Sequence, residues 1–415
     1  MGVTGFSTDA LFGSLIDGVI LLYQSSFFWL PILLISMSLV LWIRYVRQSF
    51  LHNLEKVLLE IKMPQEVLKS PLAMEIFLSA LYQKGAATYL DTYLGGKVPP
   101  WFSLELVSVS GQVKMYIWTW AKYRKMVEHQ FYAQYPNIEI HEAEDYTKGI
   151  FNDPSKWIMW ATYFKLTSAD AFPIKTYVDY GLDQDQKDEY KIDPMTAVLE
   201  YLGSLAPGEQ CWIQILIQAN KKEGLQEGRL FKKDDWTTGV LKEIENIRKS
   251  AEGEKDKKDG TWIPGRPLTK GEQDTLSSLE RSLSKPAFDT AIRGVYIATK
   301  EAFNAENIPG LIGTFRQYSS NTLNGFKLGK FTDFDYPWQD FMRARRNRLE
   351  RIYIEMYKMR SFFQEPYKYF RQKPIVLTTE ELATIFHPTG GIAVQTPTFQ
   401  RIPSKKAEPP ANLPV

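Results

Sequence analysis

The feature that most constrains this sequence is a charge-free stretch near the N-terminus, from Gly18 to Ile43. Its densest apolar part runs from Phe27 to Ile43. A helix rises about 1.5 Å per residue, and about 20 apolar residues span the hydrocarbon core of a bilayer, so the stretch is long enough to cross a membrane. Trp29 and Trp42 suit positions at the membrane interface, and Pro31 is tolerated if the helix begins nearby. The sequence therefore predicts a transmembrane helix.

The charges that flank the stretch predict its orientation. A cleaved signal peptide is the main alternative, and it would carry basic residues before a short apolar segment. Here Asp9 and Asp17 precede the stretch without any lysine or arginine, whereas Arg44 and Arg47 follow it. By the positive-inside rule we expect a single-pass protein of the inner (plasma) membrane. Residues 1–46 would then form an extracytoplasmic leader and the transmembrane helix, and the bulk of the chain would be cytoplasmic.

The composition limits what the rest of the chain can be. Of 415 residues, 44% are hydrophobic and 24% are charged, which is typical of a globular protein and not of a disordered one. The formal net charge of +2 argues against a globally basic nucleic-acid binder. A single cysteine, Cys211, excludes an intramolecular disulfide framework and a cysteine-based zinc site.

Beyond the membrane segment, hydrophobic periodicity predicts an α+β fold. Residues 47–95 are predicted to form juxtamembrane helices, the first over Arg47–Lys62, where apolar residues recur at helical spacing. Residues 96–150 show the order strand, strand, helix, strand, and residues 151–233 are predicted to repeat it. We expect two tandem β-β-α-β modules that resemble ferredoxin-like units. The segments predicted as strands are Trp101–Ser110, Val113–Trp120, Ile138–Glu144, Lys156–Leu166, Phe172–Val178 and Gln210–Gln218.

The C-terminal half is predicted to be less regular. Residues 234–286 are expected to be a helical and charged linker, because the segment from Lys249 to Gly260 is nearly free of apolar residues. Residues 287–389 are predicted to form a third α/β-helical region, with a strand over Phe288–Thr299 and a long helix from about Pro337 to Phe363. Residues 390–415 are rich in proline and are expected to form an extended tail.

No pattern in the sequence assigns catalytic, cofactor-binding or metal-binding residues. The segment Gly325–Thr332 approaches a phosphate-binding loop, but the spacing between its glycines and before its threonine is wrong. His129 and His141 lie on neighbouring predicted elements, and a metal site would still need a third ligand. Cys211 lies in an apolar strand and is expected to be a core residue. We therefore expect a protein that is not an enzyme and that uses no cofactor.

The most basic segment of the chain is residues 342–351. Arginine can fork onto phosphate groups, and the aromatic residues that follow, such as Tyr353, can stack on bases. The plainer interpretation is a solvated helix whose arginines pair with Glu350, Glu355 and other local acids. The candidate nucleic-acid-binding residues are Arg343, Arg345, Arg346, Arg348 and Arg351.

Four stretches also show a family resemblance, at residues 58–81, 102–140, 377–390 and 401–415. They resemble the N-terminal, non-ATPase region of membrane-anchored DNA-translocating ATPases, which include the type IV secretion and conjugation coupling proteins and the HerA- and FtsK-like pumps. In such proteins a proline-rich stretch leads into a motor domain with a phosphate loop. The sequence ends at that stretch, so the resemblance implies a split or truncated version whose motor is a separate protein or has been lost. No ATPase residue is carried over. Because such pumps are usually rings, the resemblance also implies a homo-oligomer.

The sequence leaves several functions open. The first is a membrane-anchored, non-catalytic scaffold or docking subunit of a type IV secretion- or conjugation-like DNA translocation machine. Its partners would be the lipid bilayer, a motor ATPase, further copies of the chain and DNA. One alternative is a membrane-tethered enzyme with an unknown substrate, whose polar residues would converge from distant parts of the chain. The other alternative is a single-stranded nucleic-acid binder that uses the arginine-rich helix.

Overall fold

The structure of the chain is a computed structural model, and its described residues form two compact units. One unit contains the N-terminal helix up to Asn53 together with Ala87–Val98. The other contains Leu54–Ala86 and nearly all of the residues from Pro99 onward. The residues that the structure describes are 8–63, 69–85, 87–150, 153, 155–184, 192–222, 235–252, 254–255, 262–263, 265–334 and 336–389.

Helices and strands are numbered in chain order. The helices of the described residues are α1 (Thr8–His52), α2 (Leu72–Ala80), α3 (Tyr89–Tyr93), α4 (Arg124–Gln134), α5 (Pro194–Gly203), α6 (Thr237–Ala251), α7 (Lys270–Leu283), α8 (Asn307–Gly313), α9 (Ala344–Lys358) and α10 (Thr379–Ile385). The strands of the described residues are β1 (Lys56–Lys62), β2 (Trp101–Val109), β3 (Gln112–Trp120), β4 (Glu139–Glu142), β5 (Trp157–Leu166), β6 (Glu209–Ala219), β7 (Glu254–Lys255), β8 (Trp262–Ile263), β9 (Ala287–Thr299), β10 (Phe326–Phe331) and β11 (Ile375–Thr378).

The first unit is built on α1, a single helix of 45 residues. Its segment Tyr23–His52 has a mean hydropathy of 2.1 in its most apolar window, and none of that window is buried. By length and composition this segment can cross a membrane, although a signal sequence meets the same criteria. Pro31 lies well inside α1, so the condition under which it would be best tolerated, a helix start nearby, is not met. The same unit contains the short helix α3.

The second unit is built on one antiparallel sheet, to which nine of the described strands belong. Along the sheet the strand order is β10-β5-β9-β6-β2-β3-β1-β4, and β11 pairs with one end of β9. The strands β7 and β8 pair only with each other. The structure thus confirms a mixed α+β chain with an apolar N-terminal helix.

The large sheet contains the same arrangement twice. The strands β1 to β4 with α2 and α4 follow the order strand, helix, strand, strand, helix, strand, and they lie side by side as fourth, first, third and second. The strands β5, β6, β9 and β10 with α5 and α8 repeat both orders. The second strands of the two halves, β2 and β6, pair from Trp101 opposite Gln218 to Val109 opposite Gln210. The two halves therefore share one continuous sheet.

In each half of the sheet, one segment near the start differs from its sequence-based prediction. Residues Lys56–Lys62 were expected to continue a helix, but they form β1 between β3 and β4. Alternation explains the difference, because Val57, Leu59 and Ile61 reach the core from one side of a strand. In the second half, Phe172–Val178 is irregular and makes no strand.

The long C-terminal helix is also shorter than predicted. Instead of Pro337–Phe363, the helix covers only α9. Met342 and Arg343 have φ of 53° and 57°, in the left-handed region that a continuous helix excludes. The carboxylate of Asp340 accepts two backbone N–H groups from the first turn of α9, which gives the helix a separate N-terminus. Residues 390–415, predicted as an extended tail, lie outside the described residues.

The two faces of the sheet differ in chemistry. Along β2, Phe102, Leu104 and Leu106 belong to the main hydrophobic core. Because side chains alternate along a strand, Ser103 and Glu105 point to the opposite face, where they are also buried. The helices α2, α4, α5, α8 and α10 all contribute side chains to the main core, so they cover the first face.

A long insertion connects β6 to β9, within the segment expected to be a helical and charged linker. Its helices α6 and α7 pack around Val240, Ile244 and Leu279, which form a small core of their own with Ala171. A salt bridge between Arg281 of α7 and Glu380 of α10, at 3.1 Å, ties the insertion to the sheet domain. The segment thus carries a packed helical pair.

The strand β11 and the helix α10 close one end of the main core. The side chains of Thr378 and Glu381 form a capping box at the start of α10. The buried Glu381 carboxylate accepts the backbone N–H groups of Thr378 at 2.8 Å and of Ile174 at 2.9 Å. Burial raises the pKa of Glu381 to about 7, and the neighbouring Glu380 adds to the increase.

This pKa predicts a dependence of stability on pH. Because the pKa is raised from an ordinary 4.5, the folded chain holds the proton of Glu381 more tightly than the unfolded chain does. The stabilisation is complete below about pH 4.5 and is lost as the pH rises to about 7. Relative to Glu381→Gln, which is neutral throughout, the wild type should lose about 2 kcal/mol of unfolding free energy between about pH 5 and pH 7. Denaturant unfolding in detergent, followed by tryptophan fluorescence, measures the difference.

The matched control for this experiment is Glu301→Gln, because the side chain of Glu301 is exposed. Its difference from the wild type should not change with pH. Parallel pH profiles for the wild type and Glu381→Gln would contradict the assignment.

Candidate functional site

A row of polar and aromatic side chains crosses the second face of the sheet, and we call it the polar row. Strand pairing places its members opposite one another on β1, β3, β2, β6, β9 and β5, and they are Glu60, Tyr116, Glu105, Gln214, Arg293 and Tyr163. The pair Glu105 and Gln214 lies where the two halves of the sheet join. Charges at such buried positions need bonded partners, because an uncompensated buried charge costs several kcal/mol.

Arg360, which follows α9, supplies the partner of Glu105. Both side chains are at most 1% exposed. The Nε and Nη2 atoms of Arg360 donate to the two carboxylate oxygens of Glu105 at 3.0 and 3.1 Å, in a bidentate pair. Asp145 accepts further hydrogen bonds from the same guanidinium, one of them at 3.2 Å. Burial alone would lower the pKa of Arg360, but Glu105 and Asp145 raise it well above its ordinary value. The buried group is therefore a stable cation.

Three other side chains complete the hydrogen bonding of Glu105. The hydroxyl groups of Ser103 and Tyr146 donate to its carboxylate at 2.7 and 2.8 Å, and Nε2 of Gln214 donates at 3.0 Å. Burial and the charge of Glu105 raise the pKa of Tyr146 well above its ordinary value, so this tyrosine remains a neutral donor. Each carboxylate oxygen of Glu105 thus accepts at least two hydrogen bonds.

Arg293 forms a second buried guanidinium in the polar row. Its Nε donates to the hydroxyl of Tyr163 at 3.1 Å, and its Nη1 donates to the side-chain oxygen of Gln214 at 3.0 Å. The same guanidinium donates to the backbone carbonyl groups of Met356 and Ser361. Gln214 therefore bridges the two charged centres, and the two arginines fasten the segment from α9 to Ser361 onto the sheet.

The contacts of Glu105, Gln214, Arg293 and Arg360 hold the polar row closed, and we call them the clamp. Within the described residues, the charged groups of Glu105, Arg293 and Arg360 all form hydrogen bonds with other parts of the chain. The sequence analysis did not select Glu105, Arg293 or Arg360. The available signal was a charged residue within a largely apolar strand. Glu105 is the one charged residue of β2, whereas β9 carries Asp289 as well as Arg293. Nothing in the sequence around Arg360 shows that it meets Glu105.

The five candidate arginines of residues 342–351 divide into three groups. Arg346 pairs with Asp333 and Glu350, both at 2.8 Å, and Arg351 pairs with Glu355 at 3.0 Å. For these two arginines the interpretation as side chains of a solvated helix that pair with local acids holds. Arg345 lies with its guanidinium carbon 5.1 Å from the ring centre of Phe334 and donates to the carbonyl of Gln339. Arg343 and Arg348 are exposed, and within the described residues neither guanidinium has a hydrogen-bond or ion-pair partner.

Large apolar side chains precede the exposed arginines in the chain and are themselves exposed. Trp338, Phe341 and Met342 are 77%, 80% and 82% exposed. The rings of Tyr336 and Trp338 stack on each other with their centres 4.6 Å apart and their planes 10° apart. We call the whole set the arginine–aromatic surface, and it consists of Tyr336, Trp338, Phe341, Met342, Arg343, Arg345 and Arg348. The sequence analysis missed its aromatic members, and it assigned Trp338 and Phe341 to a continuous helix.

The transmembrane candidates lie on α1 as expected from their order. Phe27, Trp29 and Trp42 are exposed, Ile43 is half-buried, and Pro31 is inside the helix. The exposure of such large apolar side chains is costly in water and favourable in lipid.

The remaining sequence candidates are accounted for by local structure. Most of the glycine-containing segment Gly325–Thr332 is the strand β10 and not a loop. His387 is buried and pairs with Asp193 at 3.1 Å. Cys211 is buried in the main core, and burial raises the pKa of its thiol to about 12. Among the described residues, no group of three or more histidine, cysteine, aspartate or glutamate side chains could hold a metal ion. The ring Nε2 of His141 lies 3.1 Å from a carboxylate oxygen of Glu139.

The chain is an α+β protein with an apolar N-terminal helix, and one family model matches its sheet domain. Residues 56–388 match the family described as "Domain of unknown function (DUF8128)", and the chain belongs to this family. The match begins at β1 and ends shortly after α10, so the family is defined by the sheet domain with its insertion. A comparison with curated proteins gave no match.

The clamp predicts a large effect of removing one charge. Arg360→Met would leave the Glu105 carboxylate buried without its cation, so the free energy of unfolding should fall by about 3–5 kcal/mol. Adding Glu105→Gln should recover part of this loss, because the uncompensated charge is then removed. Chemical denaturation measures both variants.

Arg351→Met is the matched control, since its ion pair with Glu355 is largely exposed. Its loss should stay within about 1 kcal/mol. A similarly small loss for Arg360→Met would show that the clamp does not hold the fold.

Proposed function

We propose that this chain is a single-pass, membrane-anchored and non-catalytic scaffold, a docking subunit of a type IV secretion- or conjugation-like DNA translocation machine with a motor ATPase as its partner. The observation that carries the anchor is α1, whose apolar window is entirely exposed. The resemblance of residues 58–81, 102–140, 377–390 and 401–415 to coupling proteins supports the translocation setting. The body would lie in the cytoplasm, because Arg44 and Arg47 follow the span.

The polar row supports a structural role for the buried charges. Strongly perturbed ionisable groups mark either catalytic sites or structural ion-pair networks. Here Glu105 is saturated by five donated hydrogen bonds and sealed under Arg360 and Tyr146. A rigid, clamped body suits a scaffold, which must present its surface in a fixed shape.

The architecture supports a finer proposal, that each half of the sheet is a ferredoxin-like module. Such modules follow the order β-α-β-β-α-β, and both halves have it. Each half also has the same strand order, fourth, first, third and second. In this view the modules are fused edge to edge through β2 and β6, and the insertion carrying α6 and α7 decorates only the second module.

The anchor predicts the behaviour of the chain in membranes. Wild-type chain should remain in the membrane pellet after an alkaline carbonate wash, with α1 still attached. Replacing Leu33 and Leu34 with arginine places two charges in the apolar window at about 2.5–3.5 kcal/mol each, so the variant should shift to the supernatant. Fractionation, immunoblotting and N-terminal sequencing measure the outcome.

The control for this test is a pair of arginines at Ser49 and Leu51, beyond the charge-free stretch, which should leave the chain in the pellet. Recovery of a shorter, soluble wild-type chain that lacks α1 would identify a cleaved signal sequence and contradict the anchor.

A specific observation also favours a second candidate function, direct contact with single-stranded nucleic acid. Base stacking on exposed aromatic rings and arginine contacts to phosphate are the two features of such binding. The arginine–aromatic surface combines the stacked pair Tyr336 and Trp338 with the partnerless Arg343 and Arg348. This activity is compatible with a scaffold that lies beside a transported DNA strand.

The arginine–aromatic surface predicts a measurable affinity for a labelled single-stranded oligonucleotide. Trp338→Ala should weaken binding by about fivefold to a hundredfold, which corresponds to about 1–3 kcal/mol for the loss of one stacked base. Arg343→Ala with Arg348→Ala should weaken binding and reduce its dependence on salt. Fluorescence anisotropy over a salt series measures both effects.

Arg351→Ala is the matched control, because Glu355 already neutralises that arginine. It should change the affinity much less. Binding that is independent of salt, or equal in all variants, would exclude nucleic-acid contact at this surface.

A further inference from the structure

The segment 88–98 is fixed against the C-terminal part of α1. The indole Nε1 of Trp42 donates to the backbone carbonyl of Tyr93 at 2.8 Å. Gly96 has a φ of +63°, and a Cβ atom at this position would lie only 2.2 Å from the carbonyl oxygen of Val46. The segment thus packs backbone to backbone against α1 at a place where only glycine fits.

The helix α3 within this segment is short but strongly held. Thr88 and Asp91 form a capping box at its N-terminus, and Lys97 pairs with Asp91 at 2.7 Å. Five residues alone are too few to form a stable helix, so these contacts and the packing on α1 hold it in place. The polar side chains of the α3 segment therefore bond to one another at the ends of the helix.

The other side of α3 is apolar and exposed. Tyr89, Leu90 and Leu94 are 58%, 70% and 61% exposed. They lie on α3 or directly after it, next to Tyr93, whose carbonyl accepts the hydrogen bond from Trp42 on the exposed apolar part of α1. In water each of these side chains would contribute unfavourable apolar surface.

We propose that α3, together with Trp42 and Tyr45 of α1, is an interfacial collar that lies in the headgroup region of a phospholipid bilayer. This inference rests on the proposed membrane anchor and adds to it, because the collar fixes the depth at which α1 inserts. Tryptophan and tyrosine prefer this region, since one end of each ring is apolar and the other end makes hydrogen bonds. Short amphipathic helices lie in the same plane with their apolar side towards the acyl chains.

The length of α1 agrees with a boundary between the hydrocarbon core and the headgroups at Trp42. About nineteen residue steps separate Tyr23 from Trp42, which corresponds to about 28 Å along a helix. The hydrocarbon core of a bilayer is about 30 Å thick. From Trp29 to Trp42 the distance is only about 20 Å. The exposed Tyr23 is thus the aromatic residue that matches the opposite interface.

The charges near the collar favour lipid over a second copy of the chain as its occupant. Arg44, one turn or less from Trp42, is exposed, whereas the charge of Lys97 at the end of the α3 segment is paired with Asp91. A basic residue at this level is attracted to anionic headgroups by about 1 kcal/mol. A self-association surface built from the same residues would instead bring Arg44 of two copies together.

The test is the depth of single fluorescent labels in vesicles. Full-length chain carrying Leu90→Cys or Leu94→Cys is labelled with bimane and reconstituted into phosphatidylcholine vesicles with phosphatidylglycerol. Lipids that carry a nitroxide either at the headgroup or deep in the acyl chain quench the bimane fluorescence at that depth. Cys211 is completely buried, so the wild-type chain serves as the unlabelled control. Leu34→Cys marks the bilayer interior, and Glu301→Cys marks the aqueous body.

Labels at Leu90 and Leu94 should be quenched several-fold more strongly by the headgroup nitroxide than by the deep one, and the label at Leu34 should show the reverse. If Leu34 is quenched deeply but Leu90 and Leu94 are not quenched, the collar is overturned and the anchor stands. If none of the three is quenched, α1 does not insert and the proposed function fails with the collar. Oxidative cross-linking of Leu90→Cys between copies, without quenching, would assign the surface to self-association and overturn the collar.

Discussion

The structure of the sheet domain depends on how it accommodates two buried guanidinium groups. Arg293 and Arg360 are almost completely inaccessible, and each would be prohibitively costly without partners. Glu105 and Asp145 both pair with Arg360. Arg293 instead donates to Tyr163, Gln214 and two backbone carbonyl groups, and Gln214 links the two centres where the halves of the sheet join. The same hydrogen bonds fix α9 and the residues after it on the second face. The clamp therefore joins the two halves and their cover into one rigid body.

Much of the fold could be predicted from the sequence, because alternation and turn residues are local signals. The hairpin of β2 and β3 and the strands β5, β6 and β9 all lie where apolar residues alternate. The sequence-based reading failed at β1, where the spacing of Leu51, Leu54, Leu58 and Ile61 also fits a helix. It failed again before α9, where left-handed Met342 and Arg343 break a pattern that propensity alone would continue. The order of strands within the sheet depends on long-range pairing, which no local pattern encodes.

The functional surfaces could be predicted less well, for a related physical reason. The arginine-rich segment is visible in the sequence, but whether an arginine is free or neutralised depends on acids such as Asp333 and Glu355 and on the break before α9. Pairing leaves only Arg343 and Arg348 available, and the stacked Tyr336 and Trp338 become exposed because the helix starts late. Likewise α3 gains its role from contact with α1 and not from its own five residues.

In the proposed function the apolar N-terminal helix is the anchor, the clamped sheet domain is the platform, and the chemical work is done by a partner. Purification of the full-length chain from native membranes in a mild detergent, followed by mass spectrometry and an ATPase assay, tests this claim most directly. The account predicts that a motor ATPase with a phosphate-binding loop co-purifies and supplies all of the nucleotide hydrolysis. Recovery of the chain alone from the soluble fraction, or hydrolysis of nucleotide by the isolated chain, would contradict it.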